Sequence, residues 1–249
     1  MRKLFGSDRH GTSPWGAMSS FNEAFRILSA NLDAALDGLD RPTVVVTSSK
    51  ADEGKTVTCA KLAASFAARG QRVVLVDLDL RNPGAHLAVG GHNHFGATDV
   101  LQGRRKLSDS LQYIGLPQRE GFGDRGLFLV AAGHSVTEPN ELLSLPRTGR
   151  MLDALAAQSD LVLIDSPPVL AVADSLTVAR EAGAAIVVVD ARRTNADALQ
   201  RTRDLLRRNQ TTILGLVLNQ VHAGDASVSA KDGYGYGNGA PAGPNRSGG

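Results

Sequence analysis

The run Thr47-Ser48-Ser49-Lys50-Ala51-Asp52-Glu53-Gly54-Lys55-Thr56 carries the residue types that hold phosphate. Gly54 lets the backbone turn close to an anion, successive N–H groups and a helix N-terminus form a cradle, Lys55 can reach β- and γ-phosphates, and the Thr56 hydroxyl can ligate Mg²⁺. The candidate contact set is Ser49, Lys50, Ala51, Asp52, Glu53, Gly54, Lys55, Thr56 and Val57. Ser49 stands where the general G-x-x-x-x-G-K-[ST] pattern has its first Gly. Carboxylates follow at two further places, Asp77 and Asp79 after the apolar run ending at Val76, and Asp165 after Leu161-Val-Leu-Ile164. Asp165 is placed to hold Mg²⁺ directly or through water. Asp77 and Asp79, two apart, can approach the metal or an attacking nucleophile.

Those residues need strand ends and a helix start to bring them together. Thr43–Val46 reads as a β-branched strand running into the loop. Thr56–Arg69 reads as a helix with Val57, Ala60, Ala63 or Ala64, and Ala67 at helical spacing, stopped by Gly70. Upstream, residues 1–20 mix Gly, Ser, Pro and charge as a loose arm, and 21–39 form an amphipathic helix with Phe21, Phe25, Leu28, Leu32, Leu36 and Leu39 on one face. Downstream come strand Arg72–Val76, short helices at Thr98–Leu101 and Leu107–Ile114, strand Leu127–Ala131, and helices Glu138–Leu145 and Gly149–Ala157. The strand Leu161–Ile164, helix Ala173–Glu181, strand Ala184–Val189, helix Ala196–Arg208 and strand Thr212–Leu218 complete the domain, 21–222. Tyr113 falls inside the expected 107–114 helix and reads as packing. Alternating strands and helices imply an α/β fold, a mainly parallel sheet with helices on both faces. Residues 223–249 are rich in Gly, Ala, Ser, Asn and Pro, have almost nothing to bury and read as a disordered tail holding Tyr234 and Tyr236.

Composition narrows the function classes. The chain has 249 residues, 42% of them hydrophobic, which suits one large α/β domain, and its net charge of +2 provides no global field for nucleic acid. Cys59 is the single cysteine, so no intramolecular disulfide can form. No segment approaches the roughly 20 apolar residues of a membrane span, so a cytoplasmic location is expected, with any membrane association through a partner.

Ser48–Thr56, Val76-Asp-Leu-Asp-Leu-Arg-Asn-Pro83 and Ile164-Asp-Ser-Pro-Pro168 resemble the three nucleotide-site motifs of bacterial tyrosine autokinases, cytoplasmic enzymes that control capsule and exopolysaccharide synthesis. Glu138-Pro-Asn-Glu-Leu-Leu143 and Asp174 extend the resemblance, which covers about residues 20–222. It implies a P-loop NTPase fold with ATP and Mg²⁺ as cofactors. Lys55 would bind phosphate, Thr56, Asp77 and Asp165 would serve Mg²⁺, and Asp77 or Asp79 would activate a tyrosine hydroxyl. Tyr234 and Tyr236 would be phosphoacceptors, and Glu23 and Arg26 would join copies of the chain. The implied partners are a membrane-embedded polysaccharide co-polymerase or adaptor, other copies of the chain and a phosphotyrosine phosphatase, with no nucleic acid.

The chain departs from that family at three places. Ser29 replaces a second Arg of the E-x-x-R-x-x-R helix motif, Ala51-Asp52 stands where Pro-Gly is common, and the tail carries two tyrosines in place of a dense cluster. Two other readings stay open. Lys50, five residues before Lys55, has the spacing of the signature lysine of division-site and plasmid-partition ATPases, which would make the chain a positioning switch. The sparse tail would also suit a catalytically weak nucleotide-binding regulator.

Overall fold

The computed structural model describes residues 19–37, 42–117 and 125–221, with side chains from residue 23 onward. Leu39, the N-terminal arm and the tail with Tyr234 and Tyr236 lie outside the described residues. In order the chain runs α1 (Ser19–Leu36), β1 (Thr43–Ser48), α2 (Lys55–Ala68), β2 (Val73–Asp77), α3 (Ala85–Val89) and α4 (Ala97–Leu101). Next come β3 (Gln112–Gly115), β4 (Gly126–Val130), α5 (Pro139–Leu143), α6 (Pro146–Ala156) and β5 (Leu161–Asp165). The last elements are α7 (Asp174–Ala182), β6 (Ala184–Asp190), α8 (Ala196–Arg208) and β7 (Thr212–Asn219).

The strands form one sheet in the order β3-β4-β2-β5-β1-β6-β7, parallel throughout except for β3, which pairs antiparallel with β4 at the edge. Val44 and Val46 of β1 join one core with α1, α2 and α3. Val45 joins the other, with α4 through α8. The central strands are therefore buried on both faces, which is why β2, β5 and β6 read as unbroken apolar runs rather than alternating ones. A crossover returns each chain segment to the same end of the sheet, so the carboxyl ends of β1, β2 and β5 open onto one rim. Register fixes their alignment, with Val46 and Asp77 both opposite Asp165.

The expected helix over 107–114 is not formed. A 3-10 turn at Ser108–Ser110 gives way to β3, where Tyr113 pairs with Phe128. Leu107, Leu111 and Ile114 have helical spacing, but the long-range pairing with β4 wins. Tyr113 is 54% exposed, its ring lying over Gly126 and edge-on to Phe128 at 5.6 Å. The structure also adds α3, in a stretch without a clear sequence period.

Ser29 lies on the inner side of α1. It is fully buried, its hydroxyl 3.0 Å from that of Ser65 on α2 and bonded to the Arg26 carbonyl. This position packs α1 against α2, where an arginine head group would have no water. Glu23 and Arg26 face outward and pair with each other at 2.9 Å.

Candidate nucleotide site

Sequence places Gly54 at the turn into α2, and its φ of +88° is a conformation that side chains rarely adopt. Asp52, two residues earlier, also sits in the left-handed region at φ +63°. Asp tolerates that region better than most residues, so Ala51-Asp52 replaces the family's Pro-Gly without losing the turn. Gly54 supplies no side-chain cap, which leaves the N–H groups that open α2 free to meet an anion.

Glu53 closes the loop from within. One carboxylate oxygen accepts from the Ser49 and Lys50 N–H groups at 2.8 and 3.1 Å, and the other accepts from the Thr194 hydroxyl. Its buried side chain braces the loop, so any contact it makes with phosphate must come through its backbone. Ser49 is buried as well, its hydroxyl accepting from Thr202 of α8 at 2.8 Å. Ser48 donates to the Lys50 carbonyl at 2.7 Å. Asn219 and Gln220 donate to the carbonyls of Glu53 and Asp52. Lys50, Ala51, Asp52 and Val57 are exposed around the rim.

The acidic residues divide. Asp79 accepts from the Lys55 ammonium at 2.8 Å and from the Asn82 N–H at 3.1 Å. Asp77 is fully buried and committed to backbone: one oxygen accepts from Asp79 N–H, the other from Gly84 and Ala85 N–H at 3.0 and 2.9 Å, fixing the start of α3. Asp165 is also fully buried, yet neither of its carboxylate oxygens has a hydrogen-bond partner. The Thr56 hydroxyl and the Ser166 N–H lie close enough to favour its ionised form without completing hydrogen bonds.

Burial pushes the Asp165 carboxyl up to about 6, with Lys55 chiefly opposing the rise. Burial, helped by Asp165, pushes Asp77 up to about 8 against the pull of the Ala85 and Gly84 N–H groups. Burial works against the Lys55 charge, but Asp165, Asp79 and Asp77 outweigh it and raise the lysine. The site thus concentrates more negative charge than Lys55 balances. Two orphaned buried oxygens on Asp165 beside the Thr56 hydroxyl fit a hard divalent cation, because Mg²⁺ commonly takes one or two protein oxygens and completes its shell with phosphate and water.

Sequence reasoning brought Lys55, Thr56, Asp79 and Asp165 to one place. It missed the Asn219, Gln220, Thr194 and Thr202 supports: Asn219 ends the apolar strand β7 and Gln220 follows it, Thr194 lies in the loop after β6 and Thr202 lies within α8. It also missed the fork from Arg81 Nε and Nη2 onto the buried Asp174 carboxylate, at 2.6 and 3.4 Å, which ties the loop after β2 to the start of α7.

Comparison with known proteins follows the same lines. Residues 44–236 match the model of the CobQ/CobB/MinD/ParA nucleotide binding domain. EpsB of Ralstonia solanacearum is 34% identical over 197 residues, which cover 79% of this chain and 25% of EpsB. The tyrosine-protein kinase YwqD of Bacillus subtilis is 28% identical over 215 residues, 86% of this chain and 85% of YwqD. The solved kinase domain of the Escherichia coli tyrosine kinase ETK matches with a TM-score of 0.74 at 30% identity, covering 80% of this chain and 75% of that one. The chain therefore spans about a quarter of EpsB and most of YwqD. It belongs to the CobQ/CobB/MinD/ParA nucleotide-binding domain family, on the branch that holds the bacterial tyrosine-kinase domains.

Proposed function

We propose that the chain is an ATP- and Mg²⁺-dependent protein-tyrosine autokinase acting in capsular or exopolysaccharide synthesis or export. One observation carries this reading: the Lys55–Asp79 ion pair stands at the mouth of a phosphate loop beside a buried Asp165 with both oxygens unpartnered. The resemblance to the tyrosine kinases YwqD and ETK supports the tyrosine acceptor.

Lys55 would exchange part of its contact with Asp79 for phosphate oxygens, and the N–H groups of the loop would hold the rest of the phosphate chain. Thr56 and Asp165 would hold Mg²⁺, which would supply positive charge to stabilise the transferring phosphoryl group. Asp79, relieved of Lys55, would accept the tyrosine hydroxyl proton. Asp77 is a poorer acceptor because its two oxygens already take three backbone N–H groups. The γ-phosphoryl group then passes to the tyrosine oxygen and ADP leaves. Tyr234 and Tyr236 are the proposed acceptors, and Glu23 and Arg26 the proposed contacts between copies.

A membrane-embedded polysaccharide co-polymerase or adaptor and a phosphotyrosine phosphatase are the partners this role requires. Among the described residues no helix is long and apolar enough to cross a membrane. The adaptor would recruit the chain to the membrane. The test is incubation with Mg-ATP followed by mass-spectrometric mapping. Phosphotyrosine on the wild type and none on Lys55→Met is expected. ATP turnover without any phosphotyrosine would overturn the assignment.

A further inference from the structure

A pocket of about 670 Å³ lies between the start of the phosphate loop, the segment after β5 and α8. Val169 and Leu205 give it apolar lining, and Lys50, Arg201 and Arg208 bring cations to it. Among the described residues, none of those three cations has an ion-pair partner. The one carboxylate in the lining, Asp204, is already paired with Arg203 at 2.9 Å. The pocket is therefore a site of unbalanced positive charge over an apolar surface. Its wall is joined to the loop itself, because Thr202 of α8 donates to Ser49 in the buried interface.

We infer that this pocket binds phosphotyrosine, presented by the tail of a second copy of the chain. Two guanidinium forks and an ammonium suit a dianionic phosphate, and the apolar lining suits the aryl ring that carries it. A free carboxylate would gain the charge without the ring contact, and an unmodified tyrosine the ring without the charge. The sequence Asp232-Gly-Tyr-Gly-Tyr236 supplies two aryl groups flanked by glycine, with little side-chain bulk to keep them from a pocket. Phosphorylated tail from one molecule would thus settle against the phosphate loop of another, so that the product of the reaction bears on the loop that performs it. This rests on the proposed kinase activity for the origin of the phosphate.

The experiment uses the full chain with saturating Mg-ADP, so that the phosphate loop is filled. The probe is a synthetic peptide covering residues 229–239, phosphorylated on Tyr234 and Tyr236 or left plain, with binding read by fluorescence anisotropy. The phosphopeptide should bind roughly tenfold or more tightly than the plain one, and Arg201→Gln and Arg208→Gln should each weaken it about tenfold. Arg207→Gln, on the same helix but outside the pocket, should change it by less than about twofold. Equal binding of both peptides, or equal losses at Arg201, Arg207 and Arg208, would overturn the inference. Neither reading uses catalysis by the tested chain: phosphopeptide binding without phosphotyrosine formation from Mg-ATP refutes the kinase assignment alone, and autophosphorylation without phosphopeptide binding refutes this inference alone.

Discussion

Asn219, at the end of β7, donates to the Glu53 carbonyl at 3.0 Å, and a Cβ built on Gly54 would fall 2.1 Å from the same Asn219 Nδ2. The last strand of the sheet thus presses on the residue that lets the phosphate loop turn. Gly54→Ala carries two penalties, the left-handed backbone and the collision. The backbone term alone is about 1–2 kcal/mol. The variant should unfold at lower temperature and lose Mg-ATP binding. Adding Asn219→Ala should return part of the stability, since it removes the collision, while leaving binding poor. Thermal unfolding and nucleotide titration of the two variants check this, and full recovery of binding in the double variant would place the defect in crowding alone.

Asp165→Asn should make the metal-free chain more stable and the nucleotide site worse. The folded carboxyl titrates near 6, above its ordinary value of 3.8, so the folded state holds its proton more tightly than the unfolded state. That stabilising contribution is fully present below about pH 4 and is lost as pH rises through about 6; by pH 7 the buried charge costs about 2–3 kcal/mol. Asparagine removes the cost. The stability advantage of Asp165→Asn over wild type should therefore grow between about pH 4 and 7 in chelator, and Mg²⁺ should strengthen nucleotide binding far less in the variant. An advantage independent of pH would assign the effect to packing.

The carboxylate chemistry was legible in sequence because Asp77 and Asp165 end apolar strands and Asp79 follows two residues after Asp77, and parallel strands deliver their carboxyl ends to one rim. The sheet order was not. Asn219, Thr194 and Thr202 reach the loop from 141 to 166 residues away, and they do so only because β6 lies beside β1 and β7 beside β6. Nothing local to Asn219 states which strand will neighbour its own. Tyr113 failed for a related reason: its helical spacing was a local signal, and Phe128 across the ladder was a distant one. Asp77 and Asp79 looked equivalent in sequence, and the backbone donors of the α3 turn separate them.

Ser29→Arg would restore the family's second arginine in letters and harm the fold in fact. The site is closed by Ser65 and has room for a hydroxyl pair, so a guanidinium there is overpacked and without a countercharge. A loss of about 2–4 kcal/mol is expected. Ala30→Arg, on the exposed side of the same turn, should change stability by less than about 0.5 kcal/mol. Chemical denaturation of both variants checks the difference. A stable Ser29→Arg chain with stronger self-association would show that α1 can turn this position outward.

Phosphorylation of Tyr234 and Tyr236 should pass largely between molecules. Asn219 and Gln220 sit on the phosphate loop, so the tail departs beside its own site. The thirteen Cα-to-Cα steps from Val221 to Tyr234 can span at most about 45 Å. A site on the same chain and one on a neighbour both fall within that limit, so distance does not choose between them. The proposed assembly of copies favours the neighbour, because entry into its own site would require the tail to fold back over the domain it has just left. Each phosphate then adds about −1.5 to −2 charge, which the carboxylates of Asp79 and Asp165 repel. Product should leave the site where it forms. The measurement mixes a Lys55→Met chain having an intact tail with an active chain lacking residues 230–249, and follows phosphotyrosine on the inactive partner. Labelling of that partner, at a rate rising with the concentration of the active chain, is the expected result. An unlabelled partner, together with wild-type self-labelling at a concentration-independent rate, would sink the intermolecular route.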